Sequence, residues 1–296
     1  MKMTRDNFGV LLTPVHKKII WDAYTEKKTQ YTNMFKVSDM NAKQETYPHL
    51  GAFGMWDANT EGNTINEDSM SEGDTATLTA LRYDKGYSLT WELVRDDLYN
   101  VMKGMGKGGS AKALGKGLRV KIESLCAAVI NGGFANTGYD GGALFQNSHA
   151  LADSSSTCDN LTTGAPTDTT VKGAMTLMRG QVDEAGLKIE AMADKIWAAA
   201  NLEFTIYTIL KSTNVSGELS NDKNVISGLS PVIMDYLTDG YWGLQDSSFE
   251  NLVWKWRDKP IFDSQPIPKT VDTFIFGYAR GAAGYVDFRG LVGSTG

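Results

Sequence analysis

The sequence predicts an α+β chain with two lobes and one projecting excursion, and three observations carry that expectation. Leu114, Leu118, Ile122, Leu125 and Val129 recur at steps of four, four, three and four, which is one face of a helix. Leu252, Trp254 and Trp256 alternate with Val253, Lys255 and Arg257, the period of a strand. Between 51 and 74 the chain is rich in Gly, Asn and acids, with little to bury except Phe53, Met55, Trp56 and Ile65. A polar stretch of that length is normally functional or disordered.

Taken in order, Thr13-Pro14 reads as an N-cap followed by a first-turn proline, leading into Val15, Ile19 and Ala23. This amphipathic helix is expected to end near Phe35 and to act as an arm that packs elsewhere. The acid-rich stretch has strand-like flanks at Thr75–Leu81 and Tyr83–Trp91, giving a projecting two-stranded loop. Asp96-Asp97 opens a short helical pattern (Leu98, Val101, Met102) broken by Gly104, Gly106, Gly108 and Gly109. Ser110 then caps the long helix, which Asn131-Gly132-Gly133 stops. Gly115 and Gly117 inside it each cost up to ~1 kcal/mol, so it needs tertiary packing. Gly164-Ala165-Pro166 is the best candidate boundary. Beyond it come a helix over Thr170–Ala185, a short strand within Lys188–Ala200, and a helix capped by Asn201 and ending at Leu210. A polar loop (Ser212–Asn224) follows. Pro260, Pro266 and Pro268 break the chain before a last strand, Val271–Arg280. No solenoid-type repeat is visible.

The 296 residues are 42% hydrophobic, enough for two domains or one elaborated one. A net charge of −6 argues against a dedicated nucleic-acid binder. That charge is sorted. From Gln44 to Leu81 there are seven acids (Glu45, Asp57, Glu61, Glu67, Asp68, Glu72, Asp74) and no Lys or Arg. From Met102 to Ile122 there are six bases (Lys103, Lys107, Lys112, Lys116, Arg119, Lys121) and no acid. Such blocks suit a protein that holds copies of itself, one block facing the other across an interface. They equally suit two solvated faces. Glu123 ends the basic ridge.

Catalytic signatures are absent: no phosphate loop, HExxH, CxxC pair or GxSxG elbow. The basic glycine run 104–109 precedes a helix but lacks a nucleotide-binding spacing, so a hinge or interface turn competes with anion binding. Ser148, His149 and Asp153 invite a hydrolase reading, yet sequence neighbours seldom face one another, and a structural His149 bonded to loop backbone is expected. His16, His49 and His149 are too dispersed for a metal cluster. The tryptophans are scattered through all segments, which favours packing over sugar stacking. Cys126 sits in an apolar helical pattern as a core residue, and Cys158 lies in a polar loop. Nothing reads as a disulfide framework, a signal peptide or a membrane span, so synthesis in a reducing cytoplasm is expected.

The order of these segments is itself informative. Tyr47–Trp56, the acidic loop and Tyr87–Asp97 resemble the first half of the major head proteins of Mu-like phages. Asn131-Gly-Gly-Phe134, Thr137–Phe145 and Ser148-His149 resemble the central signature of that family. Ala199–Leu210 and Gly277–Arg289 resemble its second half. The resemblance runs through most of the chain from Tyr47 onward.

The resemblance implies the HK97-type capsid fold, with an N-terminal arm (1–50), an extended two-stranded loop (51–88) that lies across a neighbouring subunit, and a peripheral domain (89–166). A spine helix (110–131) belongs to that domain. An axial domain (167–268) and a return to the peripheral domain (269–296) complete it. The implied function is a major capsid protein that self-assembles, as hexamers and pentamers, into an icosahedral head enclosing phage DNA. The alternative is a nanocompartment shell of the same fold around cargo protein. No enzyme activity, cofactor, metal or membrane partner is expected; packaged DNA is met non-specifically. Separate scaffolding, portal and decoration proteins are candidate partners. A long charged leader is missing, so a separate scaffold or prior processing is expected, and no Lys–Asn cross-linking signature is present. The inter-subunit contact candidates are Glu61, Glu67, Asp68, Glu72 and Asp74 against Lys103, Lys107, Lys112, Lys116 and Arg119.

Overall fold

Both expected periods are present in a computed structural model, which describes residues 17–96, 109–152, 156–212, 223–226, 228–267, 270 and 272–296. The N-terminal part holds helix α1 (17–25) and strands β1 (Lys36–Asp39), β2 (Gln44–Leu50), β3 (Glu72–Thr79) and β4 (Leu81–Leu89). Helices α2 (Trp91–Asp96) and α3 (Ser110–Gly132) follow, then short strands β5 (His149–Ala150), β6 (Thr157–Cys158) and β7 (Leu161–Thr162). Next come helix α4 (Asp168–Arg179), strand β8 (Lys195–Ala199) and helix α5 (Glu203–Lys211). The remainder is strand: β9 (Ser230–Met234), β10 (Trp242–Gln245), β11 (Leu252–Ile267), β12 (Asp272–Tyr285) and β13 (Leu291–Ser294).

Two sheets organise the body. One has the order β1-β11-β12-β4, the other β7-β13-β10-β8-β9. The second sheet is covered on both faces, which is why its strands carry apolar residues in succession rather than alternation. On β8, Ile196 and Ala198 face a core with Val171, Ala174 and Met178 of α4 and Ile206 of α5. Trp197 and Ala199 face the other core, which includes Ile122, Cys126 and Ile130 of α3 and Trp254 of β11. The two lobes therefore share a wall. Gly243 is needed there: a Cβ would lie 2.3 Å from the Trp197 ring.

Several expectations are corrected. Helix α1 ends at 25, not near Phe35. The chain then runs through a 3₁₀ turn, Tyr31–Asn33, whose start is held by the buried Glu123 carboxylate. Its oxygens accept from the backbone N–H of Gln30 at 2.7 Å and of Tyr31 at 2.9 Å. Glu123 is thus an internal cap rather than the end of a surface ridge. Nor does α1 leave its own body. Ile20 and Ala23 are buried, and Ile20 joins Ala111 and Leu114 of α3 and Phe262 of β11 in a local core.

The two-stranded unit is β2 with β3, paired antiparallel from Gln44↔Thr79 to Leu50↔Glu72. The segment 83–89, expected in the loop, is instead β4, paired along its length with β12. Residue 91 starts helix α2, with Thr90 Oγ1 accepting from Leu93 N at 3.3 Å, so the helix begins ahead of Asp96 rather than at it. The rest of that pattern, the glycines 104–108, the start of the Thr13-Pro14 helix, most of the 212–224 loop, Pro268 and Val271 lie outside the described residues.

Helix α4 begins two residues earlier than expected, on a Thr167–Thr170 capping box, and ends at Arg179, capped by Gly180, rather than at Ala185. Asn201 caps nothing; its Oδ1 accepts from Gly240 N at 3.3 Å, and α5 starts after a 3₁₀ turn. Pro260 and Pro266 do not end β11. Strand β1 pairs with Val253–Trp256, so beyond them β12 is the one strand paired with β11 among the described residues. On that open edge a missing N–H costs little, and the register shifts between Trp256 and Ile261 absorb Pro260.

The expected helix 110–131 is α3, but its buried face is centred differently. Ala111, Leu114, Ile122, Cys126 and Ile130 are buried, whereas Leu118, Leu125 and Val129 are half-buried. The two internal glycines play different parts. A Cβ on Gly115 would lie 2.2 Å from the Ile20 carbonyl oxygen, so this glycine lets α1 touch the backbone of α3. A Cβ on Gly117 would meet nothing within 4 Å. Gly115→Ala is therefore expected to lower stability by ~1–3 kcal/mol despite the better helix propensity of Ala. Gly117→Ala should raise it by up to ~1 kcal/mol. Urea unfolding of unassembled subunits measures both; equal effects would contradict the close contact at Gly115.

Candidate assembly interface

The β2–β3 hairpin is rooted in the body and bare at its tip. At the root, Leu78 packs on Val253 and Ala282, and Gly284 leaves room for it, since a Cβ would lie 2.2 Å from Leu78 Cδ2. His49 stacks on Tyr139 at 4.3 Å, and its Nε2 lies 2.9 Å from the Val286 carbonyl. Glu45 accepts from Tyr47 Oη at 2.6 Å and pairs with Lys255 at 3.3 Å. The Tyr47 hydrogen bond, then Lys255, hold the Glu45 carboxyl below its ordinary value despite some burial.

Past Leu50 the hairpin opens into a loop ordered by its own polar groups. Gly51 N donates to Ser71 O at 2.8 Å, and Gly54 N to Asp68 Oδ2 at 2.8 Å. Asn59 Nδ2 donates to Thr64 O at 2.6 Å, and Gly62 takes φ +90°, a left-handed turn that glycine supplies at little cost. Among the described residues the apolar side chains of the loop find little cover. Trp56 is 96% exposed, Ile65 88% and Met55 78%.

The predicted contact residues divide in three. Glu61, Glu67, Glu72 and Asp74 are exposed and make no ion pair among the described residues; the same holds for Asp57. Asp68 shapes the loop, and Glu45 belongs to the root. On α3, Lys116 is exposed while Lys112 and Arg119 are half-buried, again without an ion pair among the described residues. Arg119 Nε is buried without a hydrogen-bond partner among the described residues. Lys103 and Lys107 lie outside the described residues. Within one chain the described acids of the one block and bases of the other form no ion pair with each other.

Sequence reasoning missed a groove beside α3. It has a volume of about 400 Å³ and runs between α3 and strands β4 and β12. Leu114, Leu118, Tyr83 and Phe262, the last from β11, form its walls, and three bases, Arg82, Lys85 and Lys121, stand along it with one acid, Asp84. Bases on a strand and a helix far apart in sequence give no local signal. The exposed tip, by contrast, was signalled by Trp56 and Ile65 amid acids.

The hydrolase reading fails on geometry. His149 is 1% exposed and stacks on Phe288 at 3.7 Å, facing inward, while Ser148 is exposed. Its Nδ1 lies 2.5 Å from Asp140 Oδ2 and its Nε2 3.2 Å from Asn160 Oδ1. The ring is structural as expected, but it binds side chains rather than loop backbone. Burial raises the Asp140 pKa, and the His149 hydrogen bond and charge outweigh it, so the net direction is down. Asp153 lies outside the described residues. Both cysteines are free and buried, and burial pushes both thiols up, which fits core packing. Among the described residues there is no metal-binding cluster and no helix long and apolar enough to cross a membrane.

Comparison with known proteins adds the following. A family described as phage capsid protein matches residues 74–294. No curated protein sequence matches. The fold is similar to a chain of the procapsid of bacteriophage JBD30 (15% identity, 99% of this chain and 76% of that chain, TM-score 0.52). It is also similar to the capsid of cyanophage P-SCSP1u (10%, 90% and 88%, TM-score 0.59). A chain from Mycobacterium phage Adephagia is similar too (14%, 90% and 90%, TM-score 0.55). At these identities the structural likeness bears on fold alone.

The hairpin root carries a pH dependence of defined sign. Because the folded Glu45 pKa is lowered from 4.5, its contribution is fully present above about pH 4.5 and fades as pH falls through the folded value. Glu45→Gln is expected to cost ~1 kcal/mol at pH 7. Its difference from wild type, read from urea midpoints, should shrink toward zero as pH drops to 3. A difference constant with pH would contradict the pairing.

Proposed function

Because this chain belongs to the phage capsid protein family and has the HK97-type capsid fold, we propose that its copies meet through the acid-rich β2–β3 loop of one and the basic α3 ridge of the next. The protein is a major capsid protein, a structural component of the icosahedral head shell, and its work is assembly rather than catalysis. A nanocompartment shell is not favoured, since the matched family and the similar structures are of phage capsids. The Mu-like branch is the narrower reading of the same resemblance.

One observation carries the contact proposal. Asp57, Glu61, Glu67, Glu72 and Asp74 stand exposed and unpaired among the described residues, on a loop rooted firmly at its base. Like charges gathered on one projection gain nothing until an oppositely charged surface meets them. On this reading residues 1–50 include the arm, α3 is the spine helix, 89–166 with 269–296 form the peripheral domain, and 167–268 form the axial domain. Hexamers and pentamers are the assembling units. Scaffolding, portal and decoration proteins, non-specific contact with packaged DNA and synthesis in the host cytoplasm belong to the same proposal. The net charge of −6 supports an inner wall that does not grip DNA.

Exposed pairs are worth ~0–1 kcal/mol each, but a shell repeats each one in every copy. Lys112→Glu with Lys116→Glu is therefore expected to cut particle yield at least ~10-fold at low salt while the subunits remain folded by circular dichroism. Wild-type yield should fall as salt rises. Yield unchanged by the substitutions and by salt, scored by sedimentation, would refute the ridge as a contact.

A further inference from the structure

The β2–β3 ladder breaks at one place, and that place is enclosed. Pairing runs evenly from Gln44↔Thr79 to Pro48↔Thr75 and resumes at Leu50↔Glu72, so Gly73 and Asp74 stand opposite His49 alone. Such a bulge leaves a residue unpaired and bends its strand, which makes it the joint between the rooted base and the projecting tip. Two walls meet this joint. The Tyr139 ring stacks on His49 at 4.3 Å, and a Cβ on Gly73 would lie 3.6 Å from that of Ala152. Both walls belong to the segment 139–152, which carries the Ser148-His149 motif left without a catalytic role. That segment is braced twice. From within, Asp140 Oδ2 and His149 Nδ1 meet at 2.5 Å, and His149 Nε2 lies 3.2 Å from Asn160 Oδ1. Asn160 is itself fixed, donating to the Leu144 carbonyl at 2.7 Å and accepting from Gln146 N at 2.9 Å. From outside, a polar chain joins one wall to the other. Tyr139 Oη donates to Asp287 at 3.1 Å, Asp287 pairs with Arg289 at 3.1 Å, and Arg289 pairs with Glu184 at 2.9 Å. Glu184 Oε2 then accepts from Ala152 N at 2.8 Å. His149 is 1% exposed and Arg289 5%, so removing either partner would leave a buried polar or charged group uncompensated.

We propose that the segment 139–152 is a cradle that fixes the direction of the projecting hairpin, with the buried Asp140–His149 pair as positioning residues for assembly. This rests on the reading that copies meet through the loop, but it concerns the joint inside each subunit and not the surface the loop meets. A two-stranded hairpin is marginal by itself, and a bulge removes the ladder bonds that would hold its angle. The tip, residues 51–71, lies beyond the joint, so a small rotation at His49 becomes a large displacement there. Holding the joint before a neighbour arrives lowers the ordering cost of each contact the tip makes. Asp140 and His149 do this at a distance. They tie the two ends of the segment together and so set the positions of Tyr139 and Ala152 against the bulge.

The test reads the hairpin's direction in unassembled full-length subunits. Spin labels on Glu61→Cys at the tip and Arg179→Cys at the end of α4 report the tip-to-body distance by pulsed electron double resonance; both native cysteines are buried. One narrow distance is expected when the cradle is intact. His49→Ala removes the stacked ring and its bond to Val286 at the joint, and Asp140→Asn removes the carboxylate that holds His149. Each is expected to widen the distance distribution at least ~2-fold while the amides of β11 and β12 keep their protection from hydrogen exchange. Because both act through one joint, the double variant should be no wider than the wider single one, whereas independent loosening would add. Additive widening, or an unchanged width in His49→Ala, would overturn the proposal. Should Asp140→Asn not fold, Tyr139→Ala and Tyr139→Phe take its place. The alanine should widen the distribution and the phenylalanine, which keeps the stacked ring, should restore it; equal widths would overturn the cradle. A widened variant with undiminished particle yield would overturn the assignment to assembly. Failure of the loop-contact reading shows elsewhere, in the yield of Lys112→Glu with Lys116→Glu, which leaves the joint untouched.

Discussion

The antiparallel pairing of β11 with β12 is the constraint on which the rest of the body depends. Sixteen residues face fourteen, from Leu252↔Tyr285 to Ile267↔Asp272. This ribbon gives β1 and β4 their partners, receives α3 on one face, and seats Leu78 of the hairpin root between Val253 and Ala282. Three glycines of β12 make such close packing feasible. A Cβ at Gly277, Gly281 or Gly284 would lie 2.9, 2.8 or 2.2 Å from Phe262, the Lys255 carbonyl or Leu78. A residue with a side chain at any of them would have to displace a wall of the core.

The described body leaves the apolar side chains of the loop tip exposed. That is the physical link between fold and function. Fully burying a large apolar side chain is worth about 1.5–3 kcal/mol, whereas an exposed ion pair contributes ~0–1 kcal/mol. In the proposed contact the apolar tip therefore supplies the larger share, and the sorted charges select the surface it meets. Individually weak contacts suit a shell, because each is repeated in every subunit and errors can dissociate before closure.

Much of this architecture was legible in the residues. The step of α3 and the alternation at 252–257 are local periodicities, and both elements are present; Cys126 was placed in the core from its neighbours alone. What could not be read depends on distant partners. Strand β8 has no alternation because two different cores claim its two faces. Pro260 is tolerated only because β1 is four residues long and leaves an open edge. Glu123 looked like a ridge residue until the backbone of Gln30 and Tyr31 arrived to be capped. The acids of the loop were conspicuous in the sequence, yet Glu45 and Asp68 proved to be committed within the chain. The groove is assembled from a helix and three strands distant in sequence, so no local pattern announces it.

Electron cryomicroscopy of assembled shells, at a resolution that traces residues 51–71, tests the central claim most directly. The expected result is density for the tip reaching across a subunit boundary onto the α3 side of an adjacent copy. Density showing every tip lying against its own subunit, or projecting into solvent with no neighbour beneath it, would contradict the account.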